Sequence, residues 1–133
     1  MLIEKDIQQI LSQLAGGDSI RVPFDGSDIT IRTIDETSKL SLTALVYDGG
    51  NYIPSSVRLC LSRKSPFFHP SILTFLTVDE QNFQIKLNYL GQAQSLTHHH
   101  FKELLEEFGL IAEKWRLYLD DHDKNDLVYV RVK

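Results

Sequence analysis

The spacing of apolar residues changes twice along this chain, and the changes divide it into three stretches. In residues 2 to 15, Ile3, Ile7, Ile10, Leu11 and Leu14 recur at three- and four-residue intervals, which predicts a first helix. Glu4 and Asp6 sit in its first turn, where negative charge suits the helix dipole, and Gly16-Gly17 supplies the stop. From there to residue 90 the period is two. Ile20 to Phe24 and Ile29 to Ile34 flank Asp25-Gly26, a hairpin signal, and Pro23 confines the first of these strands to an edge or a bulge. Leu40, Leu42, Ala44 and Val46 alternate with Ser41, Thr43, Leu45 and Tyr47, giving a strand with one apolar and one mixed face before the turn Asp48 to Asn51. Val57, Leu59 and Leu61 alternate with Ser56, Arg58, Cys60 and Ser62; this favours a strand over Ser55 to Ser62, with a short helix as the alternative. Arg63 to Pro66 and His69-Pro70 mark a loop. Ile72 to Val78 and Phe83 to Leu90 form a further pair of strands, joined by Asp79 to Asn82 and followed by a linker from Gly91 to Ser95.

The third stretch is the most regular. Phe101, Leu104, Leu105, Phe108, Ile111, Ala112, Trp115, Tyr118 and Leu119 fall on one helical stripe, an arc of about 140° that is wide enough to cover a sheet. Thr97 is placed to cap this helix. Leu110 and Leu117 miss the stripe and lie one heptad apart on the opposite side, among Glu103, Glu106, Glu113 and Lys114. They form either the seam of a second contact or two scattered surface leucines, which are ordinary in folded proteins. The polar run from Asp120 to Asp126 is expected to end the helix, and Leu127 to Val132 to add a final strand.

Bulk properties narrow the class. A chain of 133 residues without an internal repeat is expected to be one domain, residues 1 to 133, large enough to bury a core without staples. A net charge of −4 argues against non-specific binding of nucleic acid. Cys60 is the only cysteine, so an intrachain disulfide is impossible and a reducing compartment is expected. No apolar run is long enough to span a membrane and no signal peptide is visible, so the protein is read as cytoplasmic. Charge is uneven: Asn51 to Val78 holds three bases and no acid, whereas residues 102 to 126 hold eight acids against four bases.

None of the residues that attract attention as chemistry is spaced for it. His98, His99 and His100 are consecutive, so on a helix they point about 100° apart and cannot converge on one ion. Asp121, Asp123 and Asn125 match the opening of a calcium loop, but Asp126 stands where glycine is needed and Val132 where the bidentate glutamate belongs. There is no G-x-S-x-G, Cys60 lies in an apolar alternation, and Glu106/Glu107 sit on the polar helix face without walls that would raise a pKa. No catalytic, metal or cofactor residue is assigned, and the chain is read as a non-enzyme. Composition and periodicity describe an α+β domain: an antiparallel β-sheet packed by an N-terminal helix and a long C-terminal helix.

The order of elements, with a D-x-x-G-like turn between strands and the string Phe101, Leu104, Leu105, Phe108, Ala112, Glu113, Trp115, Arg116 and Leu119, resembles the class I chaperones of bacterial type III secretion over residues 2 to 120. The resemblance implies a small acidic dimer that binds an extended segment of a secreted effector or gatekeeper protein, without ATP and without chemistry. Within that family the chain is most similar to a chlamydial member that pairs with a related chaperone and is associated with RNA polymerase sigma factor. This implies a homodimer or heterodimer and, as the alternative function, a regulator acting on transcription. By position in the family pattern, Leu2 and Leu11 are available to a substrate segment, Val57, Leu59 and Leu61 are dimer contacts, and Leu110 and Leu117 form an extra seam. Two departures stand out: the family places a helix where Ser55 to Ser62 reads as a strand, and it ends on its long helix, whereas Leu127 to Val132 follows here.

Overall fold

A computed structural model describes residues 4–15, 19–24, 27–34, 39–61, 72–92 and 97–132. In chain order these form α1 (Glu4–Ala15), β1 (Ile20–Phe24), β2 (Ser27–Ile34), β3 (Lys39–Asp48), α2 (Ser55–Leu61), β4 (Thr74–Asp79), β5 (Gln84–Gln92) and α3 (His98–Val132). The five strands make one antiparallel sheet in the order β1-β2-β3-β5-β4, so β1 and β4 are its edges. The alternating pattern of the sequence decides which face is dry. Ile29 lies opposite Ala44 and Ala44 opposite Leu87; Ile31 lies opposite Leu42 and Leu42 opposite Tyr89. With period two these residues share one face, and all but Tyr89 are buried there.

The helices cover that face. Phe101, Leu104, Leu105, Phe108, Ile111, Ala112, Trp115 and Leu119 are buried, so the predicted stripe on α3 is the lid of the core, with Ile10 and Leu14 of α1 beside it. Trp115 and Tyr118 meet edge to face with centroids 5.8 Å apart. Thr97 caps α3 as the sequence predicts: its Oγ1 accepts the His100 N–H at 3.1 Å and its carbonyl accepts the Phe101 N–H at 2.9 Å. Pro23 lies on the edge strand β1, where a missing N–H disturbs no interior ladder. Phe24 pairs with Ser27, the register of a tight hairpin, although Asp25-Gly26 themselves lie outside the described residues, as do Gly16-Gly17 and the loop containing Arg63 to Pro66.

Three expectations need correcting. Ser55 to Leu61 is the helix α2 and not a strand: the Pro54 carbonyl accepts the N–H groups of Val57 and Arg58, and Val57 and Cys60, three apart, are the buried pair. The apparent alternation was the accident of a short run in which Leu59 faces outward. Leu127 to Val132 is not a final strand, because α3 continues through Val132. The acidic residues before it are weak helix formers, yet no Gly or Pro interrupts the run, and low propensity alone does not end a helix. Gly91, read as linker, is inside β5 and pairs with Leu40.

The strand connections are built on side-chain-capped turns. Asp48 Oδ1 accepts the N–H of Gly50, which takes a φ of 75° that only glycine adopts freely. Asp79 Oδ1 accepts the N–H groups of Gln81 and Asn82, and Asn82 Nδ2 donates to Asp79 Oδ2 at 2.8 Å; these bonds, led by the side-chain one, hold the Asp79 carboxyl below its ordinary pKa. A bulge in β3 between Leu45 and Tyr47 breaks the alternation and sets Tyr47 opposite Ile85, turned toward α3. Burial, and then the carboxylate of Asp123 that accepts its hydroxyl hydrogen bond, push the Tyr47 phenol up to about 12.

Candidate partner-binding surface

Among the described residues no three His, Cys, Asp or Glu side chains are grouped as a metal would need. His99 instead pairs with Glu103 one turn on, at 2.9 Å. Cys60 is buried, its Sγ–H directed at the Ser56 carbonyl 3.3 Å away, the arrangement of a packed side chain. No helix of the described residues is long and apolar enough to cross a membrane. Besides Ile34 and Leu45, the exposed large apolar side chains of the described residues gather in three places.

The first is α2. Leu59 is 56% exposed and Tyr52, just before the helix, is exposed beside it in sequence, whereas Val57 is fully buried and Leu61 is half-buried against the core. Of the three residues anticipated as dimer contacts, Leu59 is therefore the one whose side chain is presented outward; Val57 is consumed by the monomer's own core. Arg58 holds the helix in place through a two-pronged ion pair with Glu80, at 2.9 and 3.1 Å, which joins α2 to the turn between β4 and β5. This bond pushes the Glu80 carboxyl down and the Arg58 guanidinium up. The one described base of the acid-free stretch is thus paired within the chain.

The second place was missed by sequence reasoning. Leu73 is 88% exposed, and Phe75 and Leu90 are about half exposed on the sheet face away from α3. Together with Ile72, Thr74 and Tyr89 they border a groove of about 530 Å³ along the edge strand β4, whose outer N–H and C=O groups have no neighbouring strand among the described residues. The run of apolar residues from Ile72 to Val78 was readable as a strand; that β4 is an edge was not, because edge position depends on strand order. The third place is the outer side of α3, where Leu110 and Leu117 stand half and nearly two-thirds exposed, as the helical wheel predicts. Leu11 of α1 is half-buried, Leu2 lies outside the described residues, and the side chain of Ile7 does too. The structure brings α2 and the β4–β5 turn together but leaves Leu110 and Leu117 on a different element.

No family model matches the chain, and no curated protein matches it. Solved structures do. A chain of the ExsC–ExsE complex superposes with a TM-score of 0.63 at 20% identity, covering 90% of this chain and 97% of that one. A chain of the heterodimeric ExoU–SpcU complex from the type III secretion system of Pseudomonas aeruginosa gives 0.58 at 15% identity, covering 86% and 95%. The Yersinia pestis type III secretion chaperone SycH, solved with a stable fragment of YscM2, gives 0.55 at 13% identity, covering 85% and 99%. The fold defined by the five-stranded antiparallel sheet and its long C-terminal helix is therefore the α+β fold of the type III secretion chaperones. The departure read from the sequence at Ser55 to Ser62 disappears, since a helix occupies that position.

Proposed function

We propose that this protein is a type III secretion chaperone that binds an extended segment of a secreted effector or gatekeeper protein in the cytoplasm, and that it works as a dimer, either with itself or with a related chaperone. One observation supports the reading: 85–86% of the chain shares its fold with chains solved in complexes of type III secretion systems, covering 95–99% of those chains. The exposed apolar surfaces agree with it. A monomer that keeps Leu59, Leu73, Phe75 and Leu90 in water carries a cost that a partner removes, at about 25 cal/mol per Å² of apolar area covered. We assign the dimer contact to α2 and the adjoining β4–β5 turn, centred on Leu59, and contact with the secreted segment to Leu11 of α1 and to Leu2, which precedes that helix in sequence. No step of chemistry, metal or cofactor enters this function.

The test is size exclusion with light scattering, for the chain alone and with candidate partner chaperones, followed by capture of secreted proteins from the native cell. A strict monomer that retains none of them counts decisively against the proposal. A second reading rests on Leu110 and Leu117, two exposed leucines in register on the acidic side of α3: a regulatory contact with RNA polymerase or its sigma factor. Pull-down of polymerase subunits by the wild-type chain and by Leu110→Asp and Leu117→Asp decides it; if the wild-type chain holds no polymerase, the reading fails.

A further inference from the structure

The outer side of α3 carries two parallel series of residues. Leu110 and Leu117, both exposed, are seven residues apart on a helix that runs unbroken from His98 to Val132. Seven residues turn about 700°, roughly 20° short of two full turns, so the leucines stand almost in line, about 10.5 Å apart along the axis. Glu106 and Glu113 are also seven apart, and each precedes its leucine by four residues, which places it one turn away on the same flank. Just beyond Leu117 the surface dips into a shallow hollow of about 430 Å³ bordered by Leu117, Tyr118, Asp120 and Asp121. Leu117, Tyr118 and Asp121, with Lys114 one turn before, are the corners of a four-residue hole into which a neighbouring helix inserts a side chain.

The spacing of the leucines selects the shape of a partner. An extended strand repeats its side chains on one side every ~6.6 Å, so none of them matches an interval of about 10.5 Å. A helix repeats one side chain at every seventh residue, at that same interval of about 10.5 Å. Charge selects the partner's sign. From Glu103 to Asp121, the arc within about 50° of the leucines holds Glu103, Glu106, Glu113 and Asp121 against Lys114. Glu103 is shared with His99 at 2.9 Å, which leaves three acids to one base; Glu107 and Asp120, farther round, have partners within the chain and are not counted. A second copy of α3 sets like charges against each other, whereas a helix with lysine or arginine beside its leucines meets opposite ones.

We propose that this face of α3 binds a basic amphipathic helix of another protein, one that carries leucine-sized apolar residues a heptad apart with lysine or arginine flanking them. The inference rests on the second reading above for the place of contact, and it adds the class of structure recognised there. Binding to the full chain is measured by fluorescence anisotropy with four labelled, alanine-rich peptides of about three heptads. The first has one leucine per heptad flanked by lysines. The second replaces its leucines by serine, the third its lysines by glutamate, and the fourth has a proline at its centre. The first binds and gains helicity in circular dichroism, and the other three bind at least about ten-fold more weakly. Leu110→Ser and Leu117→Ser each weaken the first peptide about ten-fold. Glu106→Lys and Glu113→Lys together weaken it by about as much and tighten the glutamate peptide, a reversal of preference. These four side chains are exposed or half-buried, so melting temperatures within ~2 °C of wild type confirm intact folding.

Equal binding of the serine peptide overturns the proposal, since charge alone then suffices. Equal binding of the proline peptide overturns it in favour of an extended segment, and leucine variants that bind as wild type overturn it outright. Self-association of the wild-type chain that Leu117→Ser abolishes overturns it in favour of a second copy. Retention of polymerase subunits separates this inference from the reading beneath it. A wild-type chain that retains polymerase through Leu110 and Leu117, yet binds none of the peptides, overturns the helix assignment and leaves that reading standing. A wild-type chain that binds the lysine peptide through the same leucines yet retains no polymerase fails that reading and upholds the preference for basic helices.

Discussion

Val57 and Leu59 are two positions apart on α2, and the structure gives them opposite duties, so truncating each to alanine separates the core from the contact surface. Val57 is fully buried, and Val57→Ala deletes two carbon groups from the core. Transfer of these groups is worth about 0.8 kcal/mol each, and the unfilled space adds roughly 1 kcal/mol, for a loss of about 2–3 kcal/mol. A chain of 133 residues unfolds with an entropy of about 0.28 kcal/mol/K at its midpoint, so Tm falls by about 7–11 °C. Leu59 is 56% exposed, and Leu59→Ala changes the stability of the isolated monomer by no more than about 0.5 kcal/mol, or ~2 °C. If Leu59 holds a dimer, its loss appears through mass action: the variant's Tm deficit grows with protein concentration, whereas that of Val57→Ala does not change. Thermal unfolding followed by circular dichroism at several concentrations, beside light scattering, reads both effects. The reasoning is refuted if Leu59→Ala lowers Tm as far as Val57→Ala in dilute protein, or if Val57→Ala melts within 2 °C of wild type.

Other consequences are as concrete. Thr97→Ala removes the cap of α3 and costs about 1 kcal/mol in urea unfolding; Thr97→Asp, which can still accept the His100 N–H, loses far less. Gly49→Ala places a methyl group against the backbone oxygen of Tyr52, in a turn tied to the Phe83 carbonyl by a 2.8 Å hydrogen bond, and destabilises by about 1–3 kcal/mol. Tyr47 has a raised pKa, so the folded state holds its proton more tightly than the unfolded state does. The stability this gives is complete below pH 10 and is lost as pH climbs through about 12. Tyr47→Phe, which has no phenol to ionise, loses less stability between pH 10 and pH 12 than the wild-type chain, which alkaline titrations of urea midpoints measure.

The parts of this fold that the sequence announced are those with a long, unmixed period. Eight of the nine members of the α3 stripe from Phe101 to Leu119, all but Tyr118, are buried as the wheel places them, and β3 alternates through Val46 as its residues demand. Short runs were less legible. In Ser55 to Leu61 a strand explains Val57, Leu59 and Leu61, and a helix explains Val57 and Cys60; seven residues cannot discriminate, and packing against α3 selected the helix. Beyond Leu119 the β-branched and aromatic residues of Leu127 to Val132 suggested a strand, but the helix runs on through Val132. The exposed leucines of α3 were visible because one element contains both. The groove beside β4 was not, because β4 becomes an edge only through the placing of β5 beside β3.

The two margins of that sheet are unequal, and this bears on how large an assembly can grow. Pro23 denies one margin the regular ladder that lateral growth requires, whereas Thr74 to Asp79 forms a margin without any proline. A body able to extend on one flank only is saturated after a single addition. Any pairing of copies through β4 would therefore terminate at two, with no second proline-free margin on which to continue.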